Sequence, residues 1–110
     1  MDAARARELL EAERRRINAE LRRLGAAVED DDQFNRFDEA DNASDLWEEE
    51  FEEGREQDLR EQLAAVERAE KRVAAGTYGL SVESGKPIAD ERLEAYPTAE
   101  LTAEEARARP

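Results

Sequence analysis

Carboxylates are the side chains with which this chain could most readily do chemistry. The 110 residues include 30 Asp and Glu against 17 Lys and Arg, but no His and no Cys, and the formal net charge is −13. Thiolate metal sites, disulfides and catalysis by a histidine base all need residues that the sequence lacks. Ser81 and Ser84 have no histidine to activate them as nucleophiles. We therefore expect a protein that is not an enzyme and that binds no cofactor or metal.

Charge and hydropathy also predict what the chain binds. An acidic surface repels nucleic acid instead of releasing its counterions, so we expect no direct DNA binding, and a basic protein surface is the natural complement. No apolar run approaches the ~20 residues that span a bilayer, and the first residues lack the pattern of a signal peptide. These features predict a cytoplasmic protein that does not bind membranes. We also expect the chain to be a monomer.

Asp38 and Asp41 are the candidate functional carboxylates. They lie in a stretch over about residues 29–42 that has no helical seam. One interpretation is that both only keep a loop soluble, with Asp41 or Asn42 capping the next helix. The other is that they stand at the end of an arm, where carboxylates meet basic groups or perturb a catalytic Mg²⁺. Ala43 would then matter because its small size permits close approach.

Two long helices must position this loop. The first is predicted over residues 2–28, where the apolar seam continues past Gly25. The second is predicted to begin near Asn42 or Ser44 and to run to Ala75, with Gly76 as its left-handed stop. The seam residues of the two helices have heptad spacing: Leu10, Ile17, Leu21, Leu24, Val28, Leu59, Leu63, Val66 and Val73. The fold class is therefore mainly α, an antiparallel coiled-coil helical hairpin over residues 1–75.

Residues 76–110 change character and predict a small second module. Gly, Pro, Thr and Ser cluster there, and short strands are expected around residues 80–83 and 87–89. A last helix is predicted to begin at Thr102, which forms a capping-box pattern with Glu105.

Three groups of residues near the loop each have two interpretations. Trp47 and Phe51 fit either the helix seam or a partner contact. Phe34 and Phe37 either fold back as a cap or serve as anchors for a partner. The acidic run 48–53 is either a solvated helix face or the match for a basic rim on a partner.

The C-terminal module contains a series of recognisable motifs: Gly76-Thr77-Tyr78-Gly79, Ser81 to Gly85, Ile88, Arg92-Leu93-Glu94-Ala95, Pro97-Thr98-Ala99 and Leu101. Together they resemble the zinc-finger end of the DksA/TraR family. Two further stretches are similar to the family's loop tip and the segment after it: Asp38-Glu39-Ala40-Asp41-Asn42-Ala43 and Glu48-Glu49-Glu50-Phe51.

The resemblance implies a zinc finger whose ligands have been lost. The four cysteine positions of the family hold Ser81, Ser84, Thr102 and Glu105 here, and the 17-residue gap between the two pairs suits a two-pair zinc site. Neutral hydroxyls and one carboxylate do not hold zinc as thiolates do. We therefore expect a finger-like module without zinc that is stable to chelators.

The resemblance also implies a function. Family members bind RNA polymerase and insert a coiled-coil arm into its secondary channel, which makes Asp38, Asp41 and Ala43 the expected polymerase-contacting tip. The family's site for the alarmone guanosine tetraphosphate aligns with Asp58, Ala65, Arg92 and Ala106, which retain one basic residue, so alarmone binding is not expected. The expected function is a bacterial transcription regulator that modulates initiation. The alternatives are an acidic coiled-coil adaptor or scaffold that kept only the fold, and an acidic mimic of nucleic acid.

Overall fold

A computed structural model describes residues 1–28 and 46–109, and for residues 46–53 it describes the backbone alone. Four helices form this part of the chain: α1 (Ala3–Arg23), α2 (Leu46–Ala75), α3 (Asp90–Ala95) and α4 (Ala103–Ala108). The mainly α fold class is confirmed. No helix in the described ranges is both long and apolar enough to cross a membrane.

Some predicted features lie outside the described residues. These are the loop over residues 29–42, the tip residues Asp38, Asp41 and Ala43, the aromatic residues Phe34 and Phe37, and the helix caps Asn42 and Ser44. The packing of Trp47 and Phe51 and the surroundings of the acidic run 48–53 also lie outside the described side chains.

The chain divides into two compact units. The C-terminal unit contains Met1–Glu13 and Ala65–Pro110, and the middle unit contains Arg14–Ala64. Each unit holds a part of α1 and a part of α2, because the two long helices run through both. The sequence-based boundary between residues 75 and 76 stays a prediction.

The predicted first helix over residues 2–28 is too long, because α1 ends at Arg23. Gly25 has φ +82°, the left-handed conformation that glycine adopts without steric cost. The amide of Ala26 donates to the carbonyl of Leu21 (2.9 Å) and the amide of Gly25 to that of Arg22 (2.9 Å). These two bonds form a Schellman motif, which satisfies carbonyls that the end of a helix leaves free. Gly25 is thus a helix stop and not a tolerated interior glycine.

The end of α2 was predicted correctly. α2 ends at Ala75, and Gly76 follows with φ +80°. The amide of Thr77 donates to the carbonyl of Arg72 (2.9 Å) and the amide of Gly76 to that of Val73 (3.1 Å), which is the same Schellman pattern.

In the middle unit the two long helices pack antiparallel through the predicted seam. Ile17, Leu21 and Leu59 have no exposed surface, and burial of each such side chain contributes about 1.5–3 kcal/mol. Beside this seam, Arg16 donates to Gln62 (3.0 Å), and Arg55 donates to Glu20 (2.5 Å). The earlier residue of α1 contacts the later residue of α2, which establishes the antiparallel direction.

The C-terminal unit has its own apolar core. Ile88, Leu93 and Ala99 are buried together, and the side chains of Met1 and Tyr78 pack against them. The helical parts of this unit contribute four further buried apolar residues: Ala6, Leu10, Val66 and Ala69. This core is small and comes from several short segments, since only 5% of the residues in the chain are aromatic.

The glycine at the end of α1 provides the first test. We expect Gly25→Ala to lower the free energy of unfolding by about 1 kcal/mol, because alanine is strained at positive φ. The matched control is Gly54→Ala in the same unit, where glycine lies inside α2 with open space around it. This control should raise stability by up to about 1 kcal/mol. Urea denaturation followed by circular dichroism would measure both, and equal effects would contradict the assignment of Gly25 as the helix stop.

Candidate functional site

The turn formed by residues 81–86 begins the candidate site. An antiparallel bridge joins Leu80 to Pro87 at its base, and the described residues contain no strand, so the two strands predicted around residues 80–83 and 87–89 are wrong. The amide of Ser81 donates to the carbonyl of Lys86 (2.8 Å), and the amide of Gly85 donates to the carbonyl of Ser81 (3.0 Å). Gly85 allows this tight reversal because it has φ +76°.

The predicted capping box at the start of α4 is confirmed. The side chain of Thr102 accepts from the amide of Glu105 (3.1 Å), and the side chain of Glu105 accepts from the amide of Thr102 (3.0 Å). Each residue thus satisfies a backbone donor of the other at the helix end.

The fold brings together the four residues that the resemblance assigns to the family's zinc-ligand positions. The hydroxyl of Ser81 donates to Oε1 of Glu105 (2.7 Å), and the hydroxyl of Ser84 donates to Oε2 of the same carboxylate (2.5 Å). Thr102 joins the group through its capping box with Glu105. Ser81 and Thr102 are buried, Glu105 is half-buried, and Ser84 is exposed. We call these four residues the hydroxyl–carboxylate cluster.

Hydrogen bonding holds the carboxyl group of Glu105 in its charged form. The hydroxyls of Ser84 and Ser81 and the backbone amide of Thr102 all stabilise the carboxylate, and they lower the pKa of Glu105 from 4.5 to about 2. The cluster therefore contains a fixed negative charge that is bound by donors of its own chain.

The residues of the cluster do not fit a zinc ion. Structural zinc takes four nitrogen or sulfur ligands, whereas this cluster offers hydroxyls and one carboxylate. Both serine protons point at that carboxylate, so its oxygens are already engaged. Within the described ranges, no three His, Cys, Asp or Glu side chains lie close enough to form a metal site. The arrangement acts as a hydrogen-bonded link between the turn and α4, and not as a metal centre.

The described positions that the resemblance assigns to the family's alarmone site hold engaged or uncharged side chains. In the middle unit, Asp58 accepts from Arg55 (3.2 Å) and Gln62 (3.1 Å). In the C-terminal unit, Nε of Arg92 donates to the carbonyl of Leu101 (3.0 Å), and its guanidinium lies 5.5 Å from the ring centre of Tyr96. The absence of alarmone binding stays a prediction.

Sequence reasoning missed α3 and the charged contacts of the C-terminal unit. Arg5 forms a two-pronged contact with Glu94 of α3, through Nε–Oε2 (2.9 Å) and Nη2–Oε1 (2.7 Å). Glu100 accepts from Arg68 (3.0 Å) and Arg72 (3.2 Å) of α2. The available signal for α3 was the acidic pair at residues 90–91, because acidic side chains favour the first turn of a helix.

Two solved structures resemble the chain along nearly its whole length. The DnaK suppressor protein of Agrobacterium tumefaciens, a DksA protein, is 30% identical with a TM-score of 0.64, and the match covers 99% of this chain and 95% of that one. The transcription factor DksA2 of Pseudomonas aeruginosa is 27% identical with a TM-score of 0.54, and the match covers 96% and 74% of the two chains.

The comparison with curated proteins is narrower. The uncharacterized protein YteA of Bacillus subtilis is 44% identical over 64 residues, which are 58% of this chain and 27% of YteA. The chain therefore spans about a quarter of the length of that relative. No protein-family model matches the chain. The described part of this chain is mainly helical, and its C-terminal unit has a core of its own. The 30% identity to the DnaK suppressor protein, with 95% of that protein covered, shows that the chain belongs to the DksA-like family of transcription factors.

The pKa of Glu105 predicts how the C-terminal unit responds to acid. A carboxyl group whose pKa is lower in the folded state adds stability above its unfolded value near 4.5 and loses that contribution as the pH falls towards 2. We therefore expect Glu105→Ala to lower the melting temperature most at neutral pH and to have little effect near pH 2. Thermal melts of both proteins at several pH values would test this. A difference in melting temperature that does not depend on pH would contradict it.

Replacing the four cluster residues with cysteine tests whether their side chains lie close enough to bind one metal ion. We expect the quadruple variant Ser81→Cys, Ser84→Cys, Thr102→Cys and Glu105→Cys to bind one Co²⁺ or Zn²⁺ tetrahedrally, because the four side chains meet at one point. Cobalt absorption bands would report the geometry. The matched control moves one cysteine from Ser84 to the exposed position Val82. If both variants bind cobalt alike, or neither binds, the four positions do not form a ligand set.

Proposed function

We propose that the chain is a transcription regulator that binds RNA polymerase and inserts the loop between α1 and α2 into the secondary channel, where it modulates initiation. The main support is the similarity to a DnaK suppressor protein over 99% of this chain and 95% of the other. The second match is named as a transcription factor, which supports a regulatory and non-enzymatic role.

The distribution of charge along the chain supports an electrostatic role for the loop and the start of α2. Residues 29–61 contain 16 acidic and 3 basic side chains, a net charge of −13. The rest of the chain contains 14 acidic and 14 basic side chains and is neutral. The whole net charge is therefore carried by less than a third of the residues. Such a segment is attracted to a basic partner surface over a distance set by the salt concentration.

Two arginines in the first half of α2 form ion pairs and hydrogen bonds within the middle unit. Arg55 contacts Glu20 and Asp58, and Arg60 contacts Glu56 (3.1 Å) and the carbonyl of Ala27 (2.8 Å). These contacts neutralise part of the charge locally. The sequence contains many more acidic residues between this part of α2 and the loop than two arginines can neutralise.

Asp38, Asp41 and Ala43 are the residues we propose for the polymerase-contacting tip. The proposal rests on their match to the family's tip motif and on their place in the acidic segment. The two carboxylates would meet basic groups or act on a catalytic Mg²⁺ and the elements around it. The small side chain of Ala43 would allow the backbone to approach closely.

The test compares two double variants that remove the same charge. In Asp38→Asn/Asp41→Asn the proposed tip is changed, and in Asp30→Asn/Asp31→Asn two acidic residues outside the tip motif are changed. Binding to core RNA polymerase of the source organism and the lifetime of open promoter complexes would be measured for both. We expect both variants to bind, and only the tip variant to lose its effect on open-complex lifetime.

Other outcomes would lead to different conclusions. If the two variants lose the effect equally, net charge and not the tip is responsible. If the unchanged protein does not bind polymerase at moderate salt, the proposal fails. The alternative of an acidic coiled-coil adaptor would then apply, and it predicts that substitutions in the loop are tolerated.

A further inference from the structure

The hydrogen bonds of Ser81 have only one possible direction. A serine hydroxyl has one proton and two lone pairs. The oxygen of Ser81 accepts from the amides of Glu83 (3.0 Å) and Ser84 (3.1 Å), which uses both lone pairs. Its single proton must therefore be donated to Oε1 of Glu105, at 2.7 Å.

The second serine is oriented in the same way. The oxygen of Ser84 accepts from the amide of Lys86 (3.2 Å) and lies 2.5 Å from Oε2 of Glu105. Because Oε2 belongs to a carboxylate, which has no proton to donate, the hydroxyl of Ser84 is the donor. Each serine thus accepts from the backbone of the turn and donates to Glu105.

The side chain at position 105 must accept hydrogen bonds at both of its terminal atoms. Oε1 of Glu105 accepts from Ser81 and from the amide of Thr102, and Oε2 accepts from Ser84. A carboxylate supplies two acceptor oxygens, whereas an amide supplies one oxygen and one NH₂ donor. An NH₂ group at the Oε1 position would face the proton of Ser81, because both lone pairs of that hydroxyl are already used by the turn. An NH₂ group at the Oε2 position could donate to the second lone pair of Ser84, but the proton of Ser84 would then lose its carboxylate acceptor.

We propose that the carboxylate of Glu105 is the structural centre of the finger-like end of this chain, with the opposite charge to that of a zinc finger. In a zinc site, anionic ligands hold a cation. Here three donors of the chain hold an anion, and that anion joins the turn 81–86 to the first turn of α4. This proposal concerns the folding of the C-terminal unit and does not depend on polymerase binding.

The turn and the end of α4 have a further charged contact besides the cluster. Glu83 of the turn forms an ion pair with Arg109, just after α4, so the same two elements have a second, exposed connection. The side chain of Lys86 is exposed, and its backbone amide contacts Ser84. The ion pair between Glu83 and Arg109 should keep the turn near α4 when the central carboxylate is altered, so that variants remain folded enough to measure.

The decisive variant is Glu105→Gln. A capping box accepts Glu or Gln at its third position, so a residue that only caps α4 would tolerate this change. The proposed centre would not tolerate it, because one of its two acceptor oxygens becomes a donor. We expect hydrogen exchange at the amides of Glu83 and Ser84 in the full chain to become faster by about tenfold or more. The amide of Thr77, bonded to Arg72 at the end of α2, serves as an internal reference.

Two controls separate the proposal from general destabilisation. Glu104→Gln makes the same chemical change at the exposed neighbouring position and should leave all three amides unchanged. Ser84→Ala keeps Glu105 and the capping box but removes one donor, and it should accelerate exchange at the Glu83 amide. If Glu105→Gln behaves like Glu104→Gln, Glu105 is only a capping residue and the proposal is wrong.

The outcome remains decisive if Glu105→Gln unfolds the whole unit. Exchange at the Thr77 reference would then also become faster, and Ser84→Ala would provide the answer. Unchanged exchange at the Glu83 amide in that variant would overturn the proposal. Faster exchange there, with the Thr77 reference unchanged, would support it.

Discussion

The carboxylate of Glu105 accepts hydrogen bonds from two elements that are separate in sequence, the turn 81–86 and the residue that caps α4. Further hydrogen bonds join the turn to α2 within the C-terminal unit. The amide of Val82 in the turn donates to the carbonyl of Glu100 (2.9 Å), and the carboxylate of Glu100 accepts from two arginines of α2. Hydrogen bonds thus lead from the cluster to the long helix. A buried Ser81 without these partners would carry a desolvation cost, which is why the contacts must be complete.

The family resemblance implies a zinc ion at the place where this chain has the carboxylate of Glu105, and a chain without that ion would need other interactions to stabilise the same module. A structural zinc ion contributes about 10–16 kcal/mol in small domains. Hydrogen bonds between groups that water also solvates contribute much less than that. Packing must therefore supply a large part: Leu93 is 1% exposed, and its burial contributes about 1.5–3 kcal/mol. Ion pairs with arginines of the long helices also hold the C-terminal segment in place: Glu94 pairs with an arginine of α1, and Glu100 pairs with two arginines of α2.

The net charge is distributed unevenly along the chain. The neutral part contains the C-terminal unit, where acidic and basic side chains satisfy one another in ion pairs. The part that carries the whole net charge includes the loop and the start of α2. A chain that placed its excess charge in the small core region would repel itself there. This separation fits the role that we propose for the acidic segment, which is to contact a basic partner surface.

Local sequence patterns alone determined the long helices, the end of α2 and the start of α4. Heptad spacing identified Leu10, Ile17, Leu21 and Leu59 as buried, and the capping box at Thr102 formed as its pattern indicates. These features depend on residues within a few positions of one another, so a sequence displays them directly. The four cluster positions were also identified from the sequence, through the family's spacing.

Tertiary structure decided the features that depend on distant residues. The end of α1 at Gly25 was missed because the apolar seam continues to Val28, and α3 was missed because six residues are too few to show a helical period. The bonds from Ser81 and Ser84 to Glu105 join residues 24 and 21 positions apart, and the direction of each bond follows from which backbone amides the turn supplies. Sequence spacing placed four polar residues together. Only the folded chain determined that they bind one another around an anion, because packing of the turn against α4 sets which atoms meet.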